Sequence, residues 1–317
     1  MIWLIVLLVV LALSPLVAER LRHPVSKVRG EVLLARNSHG AIRYRWFGSE
    51  NSGSIVVLVH GLTTPSQVFD AVADRLAAKG FRVLTYDLYG RGASDRPGGK
   101  QNRAFFVRQL RDLLADQRIE EPVALVGYSM GGVIATAFAA HYMERVDRLV
   151  LLASAGLKHN PDWFSRLCIS VPIIGDGLMM LFGGIALRRV ADQSRDLESQ
   201  VPDIADVMAK ETHIRGYLPA VLSSLRHTLA QGDSQARTHG ALGSAGLPVL
   251  GIWGAADRVI PLEARDLLAS ANPSARHYVV ADAGHGLAFS HPEPVAREIA
   301  EFLRPVEIAR GKTYGAG

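Results

Sequence analysis

The chain has 317 residues, enough for one large or two small domains, and its 49% apolar content can fill a sizeable core. The net charge of +5 comes from acidic and basic residues mixed along most of the sequence, without the aromatic-interleaved basic clusters of a nucleic-acid binder. A single cysteine, Cys168, rules out an intramolecular disulfide framework and a thiolate metal cluster.

Residues 1–18 (MIWLIVLLVVLALSPLVA) contain no charged side chain, and Arg20, Arg22, Lys27 and Arg29 follow at once. That length sits at the lower limit for a helix spanning the hydrocarbon core. A cleaved export signal needs a positive stretch before the apolar run and a small-x-small cleavage site. Here only the α-amino group precedes the run, and Leu16-Val17-Ala18 is a poor site. A retained transmembrane anchor fits better, with the basic flank and the rest of the chain on the cytoplasmic side. Export after cleavage is the alternative.

Residues 31–36 and 41–47 read as two strands joined by a turn over 37–40. Residues 55–59 (IVVLV) form a continuous apolar run, as in a strand covered on both faces. They lead into His60-Gly61-Leu62-Thr63-Thr64-Pro65. A helix is expected over 66–79, with Ser66 as N-cap and Gly80 as stop. Residues 81–86 are the next strand, 87–94 a loop, and 102–117 a helix with Phe105, Phe106, Leu110, Leu113 and Leu114 at apolar spacing. A strand over 122–126, the stretch Gly127-Tyr128-Ser129-Met130-Gly131 and a helix over 132–142 come next, then a strand at 148–152. From 157 to 246 bulky apolar residues occur without strand alternation, among them Trp163, Phe164, Met179, Met180, Leu181 and Phe182. Strands at 247–253 and 276–280 and helices at 262–270 and 292–303 close the chain before a loose tail.

Alternating strands and helices imply a mostly parallel α/β sheet. The stretch 157–246 interrupts that alternation and reads as a helical cap over the carboxyl strand edges, where such sheets bind ligands. The competing reading is a pair of additional crossover helices. The expected organisation is thus an anchor (1–18), a core in two parts (19–156 and 247–304), the cap between them and a tail (305–317).

The G-x-S-x-G stretch carries the chemistry. Between a buried strand and a buried helix, a sharp turn pushes the Ser129 hydroxyl out at the sheet edge. The Met130 N–H then stands free at a helix N-terminus, where an oxyanion is favoured. A serine hydroxyl needs a general base, and the base needs an orienting acid. Asp257 and His285 each lie just beyond a strand end on the same edge, in the order Ser, Asp, His. Taken singly, Asp257 could be a helix cap and His285 a loop residue; three groups at three strand ends are harder to assign to chance.

These residues, with His60-Gly61-Leu62, the Asp87, Gly90, Gly92 and Ser94 loop, Gly254 and Pro261, resemble the α/β-hydrolase superfamily over residues 31–303. The likeness is to capped esterases and monoacylglycerol-lipase-like members with an N-terminal membrane segment. It implies the α/β-hydrolase fold, Ser129 as nucleophile, His285 as base and Asp257 as its orienter. It also implies an oxyanion hole of the Leu62 and Met130 amides, with His60 and the 87–94 loop as structure rather than chemistry. Serine at position 129 departs from the aspartate of dehalogenases and epoxide hydrolases of this fold. The expected activity is hydrolysis of carboxylic esters, lipid-like ones such as monoacylglycerols, with carbon–carbon bond hydrolysis or a non-catalytic receptor as alternatives. Trp163, Phe164, Met179 and Phe182 are the expected acyl-binding residues, although packing against the sheet accounts for each of them alone. No metal or organic cofactor is required; the expected partners are an apolar ester and, through the N-terminal segment, a membrane, with no nucleic acid. The sequence leaves the oligomeric state open.

Overall fold

The computed structural model describes residues 13–25, 32–37, 39–195, 197–230 and 234–304. Its strands are β1 (Leu33–Asn37), β2 (Gly40–Phe47), β3 (Ile55–Val59), β4 (Arg82–Tyr86), β5 (Val123–Tyr128), β6 (Val146–Leu152), β7 (Val249–Gly254) and β8 (Arg276–Val280). The helices before β6 are α1 (Asp70–Ala78), α2 (Arg103–Asp116) and α3 (Met130–His141). Between β6 and β7 come α4 (Trp163–Ser170), α5 (Ile174–Gln193), α6 (Ile204–Glu211), α7 (Tyr217–Ser224) and α8 (Ser234–Ser244). The last three are α9 (Glu263–Ala271), α10 (Leu287–Ser290) and α11 (Pro292–Leu303).

The strands form one sheet in the order β1-β2-β4-β3-β5-β6-β7-β8. β2 pairs antiparallel with β1 and β4, and the other pairings are parallel. This is the mostly parallel α/β-hydrolase architecture. Strand alternation divides the core. Ile55, Val57 and Val59 of β3 join one apolar layer with Phe106 and Leu110 of α2 and Ile134 and Phe138 of α3. Val56 and Leu58 face the opposite layer with Val72 and Leu76 of α1 and Val295 and Ile299 of α11. Both faces being covered is why β3 is an unbroken run of Ile, Val and Leu.

Topology places the site. The chain runs from β3 to β4 on one side, then crosses back to β5 on the other, so the carboxyl ends of β3 and β5 adjoin, with Val59 opposite Gly127. A crevice opens where strand order reverses in this way. The 60–65 loop and the Ser129 turn both start there.

Several local expectations are corrected. The helix expected over 66–79 is a 3₁₀ turn, Ser66–Phe69, followed by α1. Ser66 makes no side-chain cap; its amide donates to Asp87 Oδ1 at 2.8 Å and its hydroxyl takes a hydrogen bond from Arg43 Nη1 at 2.5 Å. Tertiary partners have replaced the local cap. The four-residue α10 is too short to leave a periodic signal. Strands β5, β6 and β7 are displaced by one or two residues from their expected bounds. The tail beyond Arg304, Lys27, Arg29, Glu31 and the centre of the 37–40 turn lie outside the described residues.

The transmembrane anchor, and the localisation drawn from it, are also corrected. Among the described residues no helix is long and apolar enough to cross a membrane, and residues 1–12 lie outside them. Residues 13–20 are helical, and Glu19, Arg22 and His23 are tied to the protein. Glu19 accepts hydrogen bonds from the Gly216 amide and from Arg22 Nε, and His23 bridges Ile214. Arg22, part of the expected basic flank, donates to the Met180 carbonyl at 2.9 Å and to that of Thr212.

Candidate active site

Ser129 sits between β5 and α3 with φ +53° and ψ −119°, a conformation costing about 1–3 kcal/mol for a non-glycine residue. Close packing holds it there. A Cβ on Gly127 would lie 2.4 Å from Gly131 O, one on Gly131 1.9 Å from Val59 O, and one on Gly132 2.0 Å from Ser154 Oγ. Only glycine fits these three positions. The Ser129 amide donates to Leu152 O, and its carbonyl accepts from Gly132 and Ala155, each at 3.0 Å.

His285 and Asp257 meet this serine. His285 Nε2 is 3.1 Å from Ser129 Oγ, and Nδ1 is 2.8 Å from Asp257 Oδ2. The other carboxylate oxygen, Oδ1, accepts the amides of Val259 and Ile260, both at 2.8 Å. Asp257 is buried, whereas the His285 side chain retains 23% exposure. An acceptor at Nδ1 fixes the tautomer with its proton on Nδ1 and leaves Nε2 able to take the serine proton.

Tyr128, the residue before the serine, is a contributor that sequence reading missed. Its hydroxyl donates to the backbone carbonyl of His285 at 2.8 Å, and its ring lies 5.3 Å from the imidazole. Burial, with Asp257 nearby, pushes the phenol's pKa upward, so it stays a neutral donor.

The 60–64 loop passes against the serine: a Cβ on Gly61 would lie 3.2 Å from Ser129 Cβ. Buried His60 bonds Gly61 O through Nδ1 at 2.9 Å and accepts the Leu88 amide on Nε2 at 2.8 Å. Burial lowers its pKa to about 4, so it is neutral at pH 7. Across a trans peptide C=O and N–H point in opposite directions. Engaging Gly61 O therefore sets where the Leu62 N–H points. Met130 is the first residue of α3, so its amide has no acceptor within the helix.

The 87–94 loop buttresses this arrangement. Asp87 accepts the amides of Ser66 and Ala93 at 2.8 and 2.9 Å. A Cβ on Gly92, which has φ +51°, would lie 2.0 Å from the Asp87 carboxylate. Gly92 N donates to Glu211 of α6 at 2.7 Å, and burial raises the Glu211 carboxyl to about 7 despite Arg96 at 3.7 Å.

The four expected acyl-binding residues are placed differently from one another. Met179 is buried and Phe164 half-buried, while Trp163 is 75% exposed and Phe182 49% exposed. Trp163 and Phe164 stack edge to face, 5.9 Å apart. A cavity of about 420 Å³ is lined by Leu16, Met180, Leu222 and Arg226 among others, not by the Ser129 group. Among the described residues no cluster of His, Cys, Asp and Glu could hold a metal ion.

The family model for serine aminopeptidase, S33, matches residues 50–290, a span holding Ser129, Asp257 and His285. The chain belongs to the serine aminopeptidase S33 family. It is thereby a hydrolase of the α/β-hydrolase superfamily. An uncharacterised protein of Mycobacterium tuberculosis is 27% identical over 307 residues, covering 92% of this chain and 87% of that one. A pimeloyl-[acyl-carrier protein] methyl ester esterase of Chromobacterium violaceum is 30% identical, covering 79% and 94%. A 2-hydroxy-6-oxononadienedioate/2-hydroxy-6-oxononatrienedioate hydrolase of Paraburkholderia phymatum is 28% identical, covering 73% and 79%. Among solved structures, a thermophilic esterase from Thermogutta terrifontis superposes with a TM-score of 0.70 at 21% identity, covering 87% of this chain and 98% of that one, a likeness of fold.

Proposed function

We propose that this hydrolase cleaves carboxylic esters through an acyl-enzyme intermediate, with an apolar, lipid-like ester such as a monoacylglycerol as substrate. One observation carries the reading: the continuous relay from Ser129 Oγ to His285 Nε2 (3.1 Å) and from Nδ1 to Asp257 Oδ2 (2.8 Å). Ser129 Oγ attacks the ester carbonyl carbon as Nε2 takes its proton. The tetrahedral oxyanion is held by the amides of Leu62 and Met130. The carbonyl re-forms, the alcohol leaves with the proton from Nε2, and water repeats the sequence to release the acid. Helices α4–α7, which carry Trp163, Phe164, Met179 and Phe182, serve as the cap. The apolar character of that set, together with the esterase among the relatives, supports an apolar ester.

A fluorophosphonate probe should label Ser129, and Ser129→Ala should abolish labelling and lower turnover of aryl esters by about 10³-fold or more with an unchanged melting temperature. Equal labelling of the alanine variant refutes the assignment. The second reading, hydrolysis of a carbon–carbon bond in a ketone-type substrate, is favoured by the Paraburkholderia relative. A panel of monoacylglycerols, short esters, lysophospholipids and 2-hydroxy-6-oxo dienoates separates the two. Faster turnover of the dienoates selects the second.

A further inference from the structure

Three consecutive carbonyls of the loop beside Ser129 each receive a side-chain hydrogen bond from a different place. Gly61 O is bonded to His60 Nδ1 at 2.9 Å, Leu62 O to Arg91 Nε at 3.0 Å, and Thr63 O to the hydroxyl of Tyr217 at 3.0 Å. Each bond turns one peptide plane, because C=O and N–H oppose each other across it. The last two donors do not belong to the loop. Tyr217 is the first residue of α7. Arg91 reaches the same helix from the other side: Nη2 donates to Ser224 Oγ at 2.8 Å and to Ala220 O at 3.4 Å, while Nη1 donates to Gln101 Oε1 and Tyr89 O.

Arg91 is also unusual in itself. It is fully buried, and among the described residues no carboxylate lies within ion-pairing distance of it. Its hydrogen bonds all go to carbonyl, amide and hydroxyl oxygens, and Glu211 acts on it only through space. A buried, unpaired cation is costly, and burial pulls even this guanidinium down to about 10. Arg91 is bonded directly to the carbonyl of Leu62, so its positive charge lies on the loop whose Gly61 packs against Ser129. A fixed cation there favours negative charge developing on a substrate oxygen. The packing is tight around it: a Cβ on Gly90 would lie 2.3 Å from Ala220 Cβ.

We propose that Arg91 and Tyr217 are positioning residues that couple helix α7 to the oxyanion loop, so that the loop holds its catalytic shape only while α7 is seated. This rests on the acyl-enzyme reading above. A displacement of α7 takes both donors with it or strands them, and frees the Leu62 and Thr63 carbonyls to turn. Those carbonyls lie on the peptides that carry the Thr63 and Thr64 amides, so what is lost is the loop shape flanking Leu62, whose own amide shares its peptide with the Gly61 carbonyl bonded to His60. The consequence falls on the transition state and leaves ground-state binding nearly untouched.

The test uses the full chain and Tyr217→Phe, which removes one hydroxyl and keeps the ring. Its kcat on an aryl ester should fall about tenfold, with KM changed less than about twofold, since loop aim affects oxyanion stabilisation. Labelling of Ser129 by a fluorophosphonate should slow by the same factor, because phosphylation uses the same amides. The pH at which kcat rises should not move, since His285 is untouched. Arg91→Met should lose more activity than Arg91→Lys. Wild-type kcat and labelling rate in Tyr217→Phe overturn the proposal while leaving the acyl-enzyme reading intact. A loss accompanied by a lowered melting temperature and a shifted pH profile also overturns it, because the effect is then global. Failure of the wild-type protein to label at Ser129 overturns the reading on which it rests.

Discussion

Asp257 has both carboxylate oxygens committed, and that commitment decides what a single-atom change does. Oδ1 takes two backbone amides and Oδ2 faces His285 Nδ1. In Asp257→Asn the side-chain oxygen must stay with the two amide donors, so the new NH₂ points at Nδ1. The imidazole can satisfy it only by losing the Nδ1 proton and carrying it on Nε2, which then cannot accept the serine proton. Aryl-ester turnover should fall by about 10⁴-fold with the fold retained. Activity near wild type, with an unchanged melting temperature, would refute Asp257 as the orienter. At this scale Ser129, Asp257 and His285 were legible because each sits in a short loop just past a strand end, where the sheet's geometry does the placing. Tyr128 was not. Its partner is the backbone of a residue 157 positions away, and a backbone carbonyl leaves no trace in a residue pattern.

Elements bring together charges that a strand-and-helix reading cannot see. Glu211 of α6 is buried against the 87–94 loop, facing the Gly92 amide, Arg96, Arg91, Asp87 and Tyr217. Burial holds its carboxyl near 7, above the value of about 4.3 in an unfolded chain. A raised folded pKa means that the folded state binds the proton more tightly. Its contribution to stability is therefore complete below about 4.3 and is lost as pH rises through 7. Relative to Glu211→Gln, which stays neutral, the wild type should lose on the order of 2 kcal/mol between pH 4.5 and pH 8. Thermal melts of both proteins across that range check it; a difference that does not change with pH, or that grows in favour of the wild type, contradicts the assignment. Element identity was largely readable, since β3 and β5 are unbroken apolar runs and the Asn102 cap is local, its Oδ1 accepting Phe105 N at 2.9 Å. Ser66 misled because a capping residue looks the same when a distant aspartate claims its amide. Helix α8, the last helix of the stretch between β6 and β7, packs on α3 and α9.

At the scale of the whole molecule, the stretch between β6 and β7 divides its apolar residues between two physical roles, and mutation can separate them. Met179 is buried in the apolar core, its sulfur packed over Gly183 of its own helix, where an added Cβ would lie 2.4 Å away. Removing that side chain leaves a cavity, so Met179→Ala should cost about 2–5 kcal/mol of stability. Trp163 and Phe182 are exposed, and an exposed position away from caps and networks changes stability by no more than about 0.5 kcal/mol. The sequence could not sort the three, because a bulky apolar residue looks alike whether it fills a core or awaits a ligand. Exposed aromatic area without a packing role is the kind of surface that meets an apolar substrate or partner. If Trp163 and Phe182 contact the acyl chain, Trp163→Ser and Phe182→Ser should each lower kcat/KM for an octanoyl ester severalfold more than for an acetyl ester, because a buried methylene contributes about 0.8 kcal/mol and an acetyl group offers none beyond its methyl. Parallel measurements of kcat/KM on the two esters and of melting temperature decide it. Equal proportional losses on both esters reject an acyl-binding role for these two residues, and a stability loss in either variant as large as that of Met179→Ala would place it in the packed interior instead.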